Sequence, residues 1–184
     1  MEKSFKPFNG FAALIFLFTC LGLLAFGIVN KLPFVIVPMI LLNILILIGF
    51  IIINPNESAV LTLFGAYKGT AKENGFYWVN PFFNKRKVSL RARNMDSESI
   101  KVNDKLGNPI LIGVVLVWRV KNTFRAIFDV DAYEHFVKVQ SESAIRKLAG
   151  TFSYDDFEDH DAEITLRSGG DEVDHILESE LRNS

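Results

Sequence analysis

The chain has 184 residues, 49% of them hydrophobic, and its 20 basic and 21 acidic side chains nearly cancel. Between Pro7 and Asn56, however, Lys31 is the only charged residue, and it divides an apolar stretch into two arms of 20 residues, 10–29 and 34–53. That distribution excludes a purely soluble enzyme, and the 131 residues that follow exclude a large multidomain one.

Twenty helical residues rise about 30 Å, the thickness of a hydrocarbon core, so each arm is long enough to span a bilayer. The first run is also too long for a secretory signal, whose apolar stretch is about 7–15 residues. Asn30-Lys31-Leu32-Pro33 fits only a tight turn between antiparallel helices. Pro33 suits the first turn of the second helix, and Asn54-Pro55 suits its end. Residues 1–53 therefore read as a membrane anchor, either a transmembrane helical hairpin or a re-entrant one that Pro38 leaves open; length favours crossing. Lys3 and Lys6 before the first arm and Lys68 and Lys72 after the second outnumber Lys31 at the tip, which places both ends in the cytoplasm.

If the arms fold back about the turn, Asn43 lies level with Cys20 and next to Thr19. An unpaired amide is costly in hydrocarbon. Asn43 is thus expected to hydrogen-bond to Thr19 or to a backbone carbonyl of the first helix, or else to join neighbouring subunits. Thr19, Gly22 and Ala25 recur at three-residue steps and leave room for a close approach. Cys20 is the sole cysteine, so neither an internal disulfide nor a cysteine-based zinc site is possible.

Residues 54–150 hold 15 basic and 9 acidic side chains, whereas 151–184 hold 2 and 11. A basic segment tethered to a bilayer points to anionic lipid headgroups as its partner and not to nucleic acid. Segments 60–64, 76–79 and 87–93 read as strands, the last alternating Val88, Leu90 and Ala92 with polar residues. Phe76, Tyr77, Trp78, Phe82 and Phe83 crowd around Asn80-Pro81, and Lys85, Arg86 and Lys87 follow directly. Rings beside cations are the composition of a membrane-interface contact, with about 1 kcal/mol available per cation near an anionic surface. The other reading is a strand and turn that give their rings to the core and their cations to solvent.

Segments 100–102 and 110–120 flank the turn-rich stretch from Asp104 to Asn108, as in a hairpin. The second is apolar on both sides, which predicts a central strand covered by helices or a second layer. Asp131 and Glu134 form a capping-box pattern ahead of Tyr133, Phe136, Val137, Gln140, Ala144, Ile145 and Leu148, which recur at helical spacing until Gly150. A further helix starts near Gly170 or Asp171 and reaches residue 184 without a stop signal, so it reads as the start of a longer, truncated one.

GxSxG, HExxH, CxxC, GxGxxG and GxxxxGK[ST] are all absent from the sequence. No catalytic residue, metal site or cofactor is expected, and His135, His160 and His175 read as surface residues. The acidic run Asp155, Asp156, Glu158, Asp159, His160, Asp161 and Glu163 fails the register of a calcium loop. Counted from Asp156, Asp161 takes the place of the glycine and Arg167 that of the final glutamate, so a solvated loop is expected.

The order of several short motifs carries more information than any one of them. Asn54-Pro55-Asn56-Glu57-Ser58-Ala59-Val60, Glu73-Asn74-Gly75-Phe76-Tyr77-Trp78-Val79-Asn80-Pro81-Phe82, Val88-Ser89-Leu90-Arg91-Ala92-Arg93 and Val102-Asn103-Asp104 follow the apolar anchor. Val117-Trp118-Arg119-Val120, Phe128-Asp129-Val130-Asp131-Ala132-Tyr133 and Ser143-Ala144-Ile145-Arg146 come next. This series, over about residues 54–182, resembles the SPFH or band 7 family of stomatin, prohibitin and flotillin. The resemblance implies an α+β domain in two lobes over 54–168, followed by the beginning of a C-terminal helix at 169–184. It implies a membrane-attached protein without catalytic residues that assembles into homo- or hetero-oligomeric rings. Such rings organise membrane patches or, alternatively, regulate a membrane-bound protease or transporter. Two features depart from the pattern: the anchor has two arms where many relatives have one span, and the long assembly helix of the family would begin where this chain ends.

Overall fold

A long uncharged apolar stretch can satisfy its backbone away from water by forming helix. The computed structural model, which describes residues 2–155 and 165–183, is mixed α+β, with an N-terminal apolar helix ahead of a sheet-rich domain. It divides into two compact units.

The first unit holds the chain up to Arg91 together with Val120–Asp129. Strand β1 (Phe8–Asn9) leads into α1 (Gly10–Val29), where the Asn9 side chain accepts the Phe11 N–H and caps the first turn. After a turn with Lys31 at φ 53°, α2 (Pro33–Gly49) begins with its proline at a first-turn position. Helix α1, at 20 residues, is long and apolar enough to cross a membrane, whereas α2 is shorter at 17. The arm expected to be helical over 34–53 is helical only to Gly49. Phe50 and three isoleucines then leave the helix as β2 (Phe50–Ile53), because aromatic and β-branched side chains suit a strand and a partner strand is at hand.

That partner is β5 (Gly75–Trp78), which lies between β1 and β2 and pairs antiparallel with both. A second sheet has the order β4-β3-β6, formed by β3 (Glu57–Leu63), β4 (Ala66–Ala71) and β6 (Phe83–Ser89). The strand expected at 87–93 therefore starts earlier and stops at Ser89, along the full length of its pairing with β3. Strand β4 has no counterpart among the sequence expectations, since Ala66, Gly69 and Ala71 give it little strand propensity. Its outer edge is covered from afar: Phe5 N–H donates to the Thr70 carbonyl (3.0 Å), and Thr70 N–H donates to that of Lys3 (2.8 Å). Glu2 adds an ion pair with Lys72 (2.9 Å) and accepts from the buried Thr123 hydroxyl of α3 (Thr123–Phe128). Ile51, Ile53, Ala59, Leu61, Ala71 and Val79 form the core between the sheets.

The second unit contains β7 (Arg93–Asp96), β8 (Ile100–Asn103), β9 (Pro109–Ile112), β10 (Val115–Trp118), α4 (Tyr133–Thr151) and α5 (Gly170–Asn183). The apolar run 110–120 is not one central strand covered on both sides. It breaks at Gly113 into β9, paired with β8, and β10, paired with β7. Ile112 and Val114 pack on Ala144, Ile145 and Leu148 of α4, while Leu111, Val115 and Val117 on the other face stay 72%, 68% and 64% exposed. Helix α4 also lacks the expected capping box: Ala132 precedes it without a side-chain bond. Glu134 is committed elsewhere, to an ion pair with Arg93, whose guanidinium lies 5.9 Å from the Trp118 ring centre and 5.8 Å from that of Tyr133. Helix α5 joins this core through Leu177 and ties to α4 by a Lys147–Glu180 pair (2.6 Å). From residue 156 to 163 the acidic run singled out in the sequence lies outside the described residues.

Asp104 organises the turn between β8 and β9. Its buried carboxylate accepts backbone N–H groups from Asn108 (2.7 Å), Leu106 (3.0 Å) and Tyr154 (3.2 Å). Burial by itself raises the pKa of the carboxyl; these donors outweigh it and hold the group below the ordinary aspartate value. A depressed folded pKa contributes stability above the unfolded value, and that stability is lost as pH falls through the folded one. Asp104→Asn is thus expected to unfold at lower urea than the parent at pH 7 and to lose less of its midpoint between about pH 4.5 and about pH 3. Equal acid sensitivity in the two proteins would contradict this role.

Candidate membrane-contact site

The site is the mouth of the α1–α2 pair, where both helices meet β5. Trp78 stands opposite Phe8 on one side and Phe50 on the other, so a single strand residue faces both the start of α1 and the end of α2. Glycines permit this approach. A Cβ on Gly10 would lie 2.6 Å from the Phe76 ring and 2.8 Å from its backbone, and one on Gly49 would stand inside the Trp78 indole.

A helix leaves its last four carbonyls without intrahelical partners, and all four of these are answered in α2. The Ile46 oxygen accepts from Trp78 Nε1 (2.9 Å), Leu47 from the Phe50 N–H, Ile48 from Lys85 Nζ (2.5 Å) and Gly49 from the Val79 N–H (2.9 Å). Lys85 Nζ reaches the Phe50 carbonyl as well (3.1 Å), placing a cation at the negative end of the helix. Burial lowers its pKa from the ordinary lysine value. Phe76 stacks on Phe50 (centroids 5.2 Å apart) and meets Phe11 edge-on (5.5 Å).

The aromatic and basic residues singled out from sequence therefore divide. Phe76 and Trp78 hold the helix ends, Tyr77 packs on the core, Phe83 meets Phe5 edge-on (5.7 Å), and Lys85 caps α2. Lys87 pairs with Glu57 (3.2 Å). The Asn54 backbone N–H, followed by that ammonium, keeps the Glu57 carboxyl below its usual value against the effect of burial. Phe82 and Arg86 remain exposed. Sequence reading missed Phe64, which is 88% exposed with its ring centre 6.3 Å from that of Phe82. Phe8, Ala12, Phe16, Leu42, Leu45, Trp78 and Pro81 line an apolar groove of about 670 Å³ running up from the mouth.

The seam between α1 and α2 is narrower than the stripe expected from spacing. Leu17 and Cys20 pack with Ile46, and Asn43 is buried on the same face of α2. Thr19 and Gly22 point away, and near the turn Gly27 lies against Val35. The expected bond between Asn43 and Thr19 does not form. Each side chain turns back on its own helix: Asn43 Nδ2 donates to the Met39 carbonyl (2.7 Å), and the Thr19 hydroxyl donates to those of Ile15 (2.8 Å) and Phe16 (3.0 Å). Among the described residues the Asn43 Oδ1 has no partner.

Compared with known proteins, residues 51–183 match the SPFH domain / Band 7 family. The match begins within β2, at the strand that leaves α2. No curated protein matches the chain.

Proposed function

The chain belongs to the SPFH/band 7 family, and on that premise we propose that it is a membrane-anchored, non-enzymatic scaffold that self-associates and organises a patch of bilayer. In this reading α1 and α2 insert as a hairpin with both ends on the cytoplasmic side, and the sheets rest on an anionic surface. The observation that carries it is the pairing of β5 with both β1 and β2, which ties the beginning of α1 and the end of α2 to one strand. Two helices held at their mouth by one short strand enter and leave the bilayer on the same side, and the lysine distribution assigns that side to the cytoplasm.

Self-association is supported by the exposed apolar side chains of β9 and β10, Leu111, Val115 and Val117. Amine crosslinking in native membranes is expected to give multiples of the 20.8 kDa chain. Val115→Lys with Val117→Lys should reduce that ladder to monomer while leaving the protein membrane-bound. A stoichiometric foreign protein in place of the ladder would favour the alternative role, as regulatory subunit of a membrane-bound protease or transporter.

A further inference from the structure

Strands β3 and β4 are joined by only two residues, Phe64 and Gly65, with φ of 48° and 84°. Two positive φ values are the signature of a turn that ordinarily uses Asn-Gly, because a side chain in the left-handed region crowds its own backbone. Phenylalanine is a poor choice there unless its ring gains elsewhere, and within the chain it gains little: Phe64 is 88% exposed. The same is true of Phe82, which is 60% exposed and sits beside it because β3 and β6 pair Leu63 with Phe83. Local strain kept at an exposed aromatic tip points to an environment that takes the rings up.

The direction of the tip identifies that environment. Lys85, two residues beyond Phe83 on β6, already reaches the last carbonyls of α2, and Pro81, next to Phe82, lines the groove with Ala12, Phe16, Leu42 and Leu45. The tip therefore lies at the end of the sheet that meets the apolar helices. Exposed Lys68 and Arg86 follow on the strands behind it, at the place where anionic headgroups would lie. We infer that Phe64 and Phe82 form an aromatic wedge that enters the boundary between headgroups and acyl chains beside the α1–α2 pair. This inference rests on the reading of those helices as inserted in a bilayer.

The test uses the full chain with Cys20→Ser, reconstituted in vesicles of phosphatidylcholine and phosphatidylglycerol, with single nitroxide labels at position 64, 82, 23 or 73. Leu23 is an exposed residue of α1, and Glu73 is an exposed residue of the loop before β5. Labels at 64 and 82 are expected to favour oxygen over a water-soluble nickel chelate several-fold more than the label at 73, approaching the label at 23. Phe64→Asn, which suits the left-handed turn, should raise the urea midpoint and shift the label at 82 toward the chelate. Labels at 64 and 82 that match 73, while 23 stays in lipid, would overturn the wedge and leave the anchor standing. A label at 23 that reports water would overturn both.

Discussion

Trp78→Ala is expected to open the mouth of the α1–α2 pair and destabilise the first unit by about 3–5 kcal/mol. The indole touches three things at once: it lies against Gly49, lines the apolar groove, and donates to the Ile46 carbonyl. Truncation leaves a cavity where two helices and a strand converge, and it leaves one of the terminal carbonyls of α2 without a donor. Trp78→Phe keeps an aromatic ring at the mouth but loses the N–H together with the five-membered part of the indole, and it should cost less, about 1–3 kcal/mol. Proteolysis between β2 and β3 in nanodiscs, followed against urea, measures both. Equal losses for the two variants would mean that the hydrogen bond, and not the packing, closes the mouth.

Gly49→Ala and Gly10→Ala are expected to be the most damaging of small substitutions. Overpacking alone costs about 1–3 kcal/mol, and relief is hard here because the atoms in the way include backbone: the Val79 oxygen at Gly49, and the carbonyl group of Phe76 at Gly10. Gly22→Ala is the internal control. A Cβ there meets open space on a helix interior, so it should stabilise by about 0.5–1 kcal/mol. Combining Gly49→Ala with Trp78→Ala should cost less than the sum of the two, because removing the indole makes room for the methyl. Strict additivity would place the two residues out of contact.

Several elements were legible in the sequence because one local signal dominated each. Helix α1 runs over Gly10–Val29, where the apolar arm lies between Asn9 and the Asn30-Lys31 turn. Helices α4 and α5 follow the recurrence of apolar residues that packs Ile145 and Leu177. The second arm was harder, because an unbroken apolar run carries no mark of where helix gives way to strand. Only the pairing of Phe50–Ile53 with β5 sets that boundary. The same ambiguity hid the break at Gly113, since every side chain from Ile110 to Trp118 except that glycine is apolar and periodicity could not tell a covered face from an open one. Phe64 escaped notice for a different reason. Its peculiarity is a backbone angle, and the Phe-Gly pair lacks the asparagine that usually announces such a turn. The contact of Glu2 with Lys72 and Thr123 joins residues far apart in the chain, and no local pattern encodes it.

On the proposed reading, β5 holds both ends of the α1–α2 pair on one side of a membrane. Cysteine accessibility in sealed vesicles tests it most directly, with Cys20→Ser and single cysteines at Ser4, Asn30 and Asn74. Ser4→Cys and Asn74→Cys are expected to react with an impermeant maleimide from the same side, and Asn30→Cys not to react from that side until detergent is added. Labelling of positions 4 and 74 from opposite sides would contradict it.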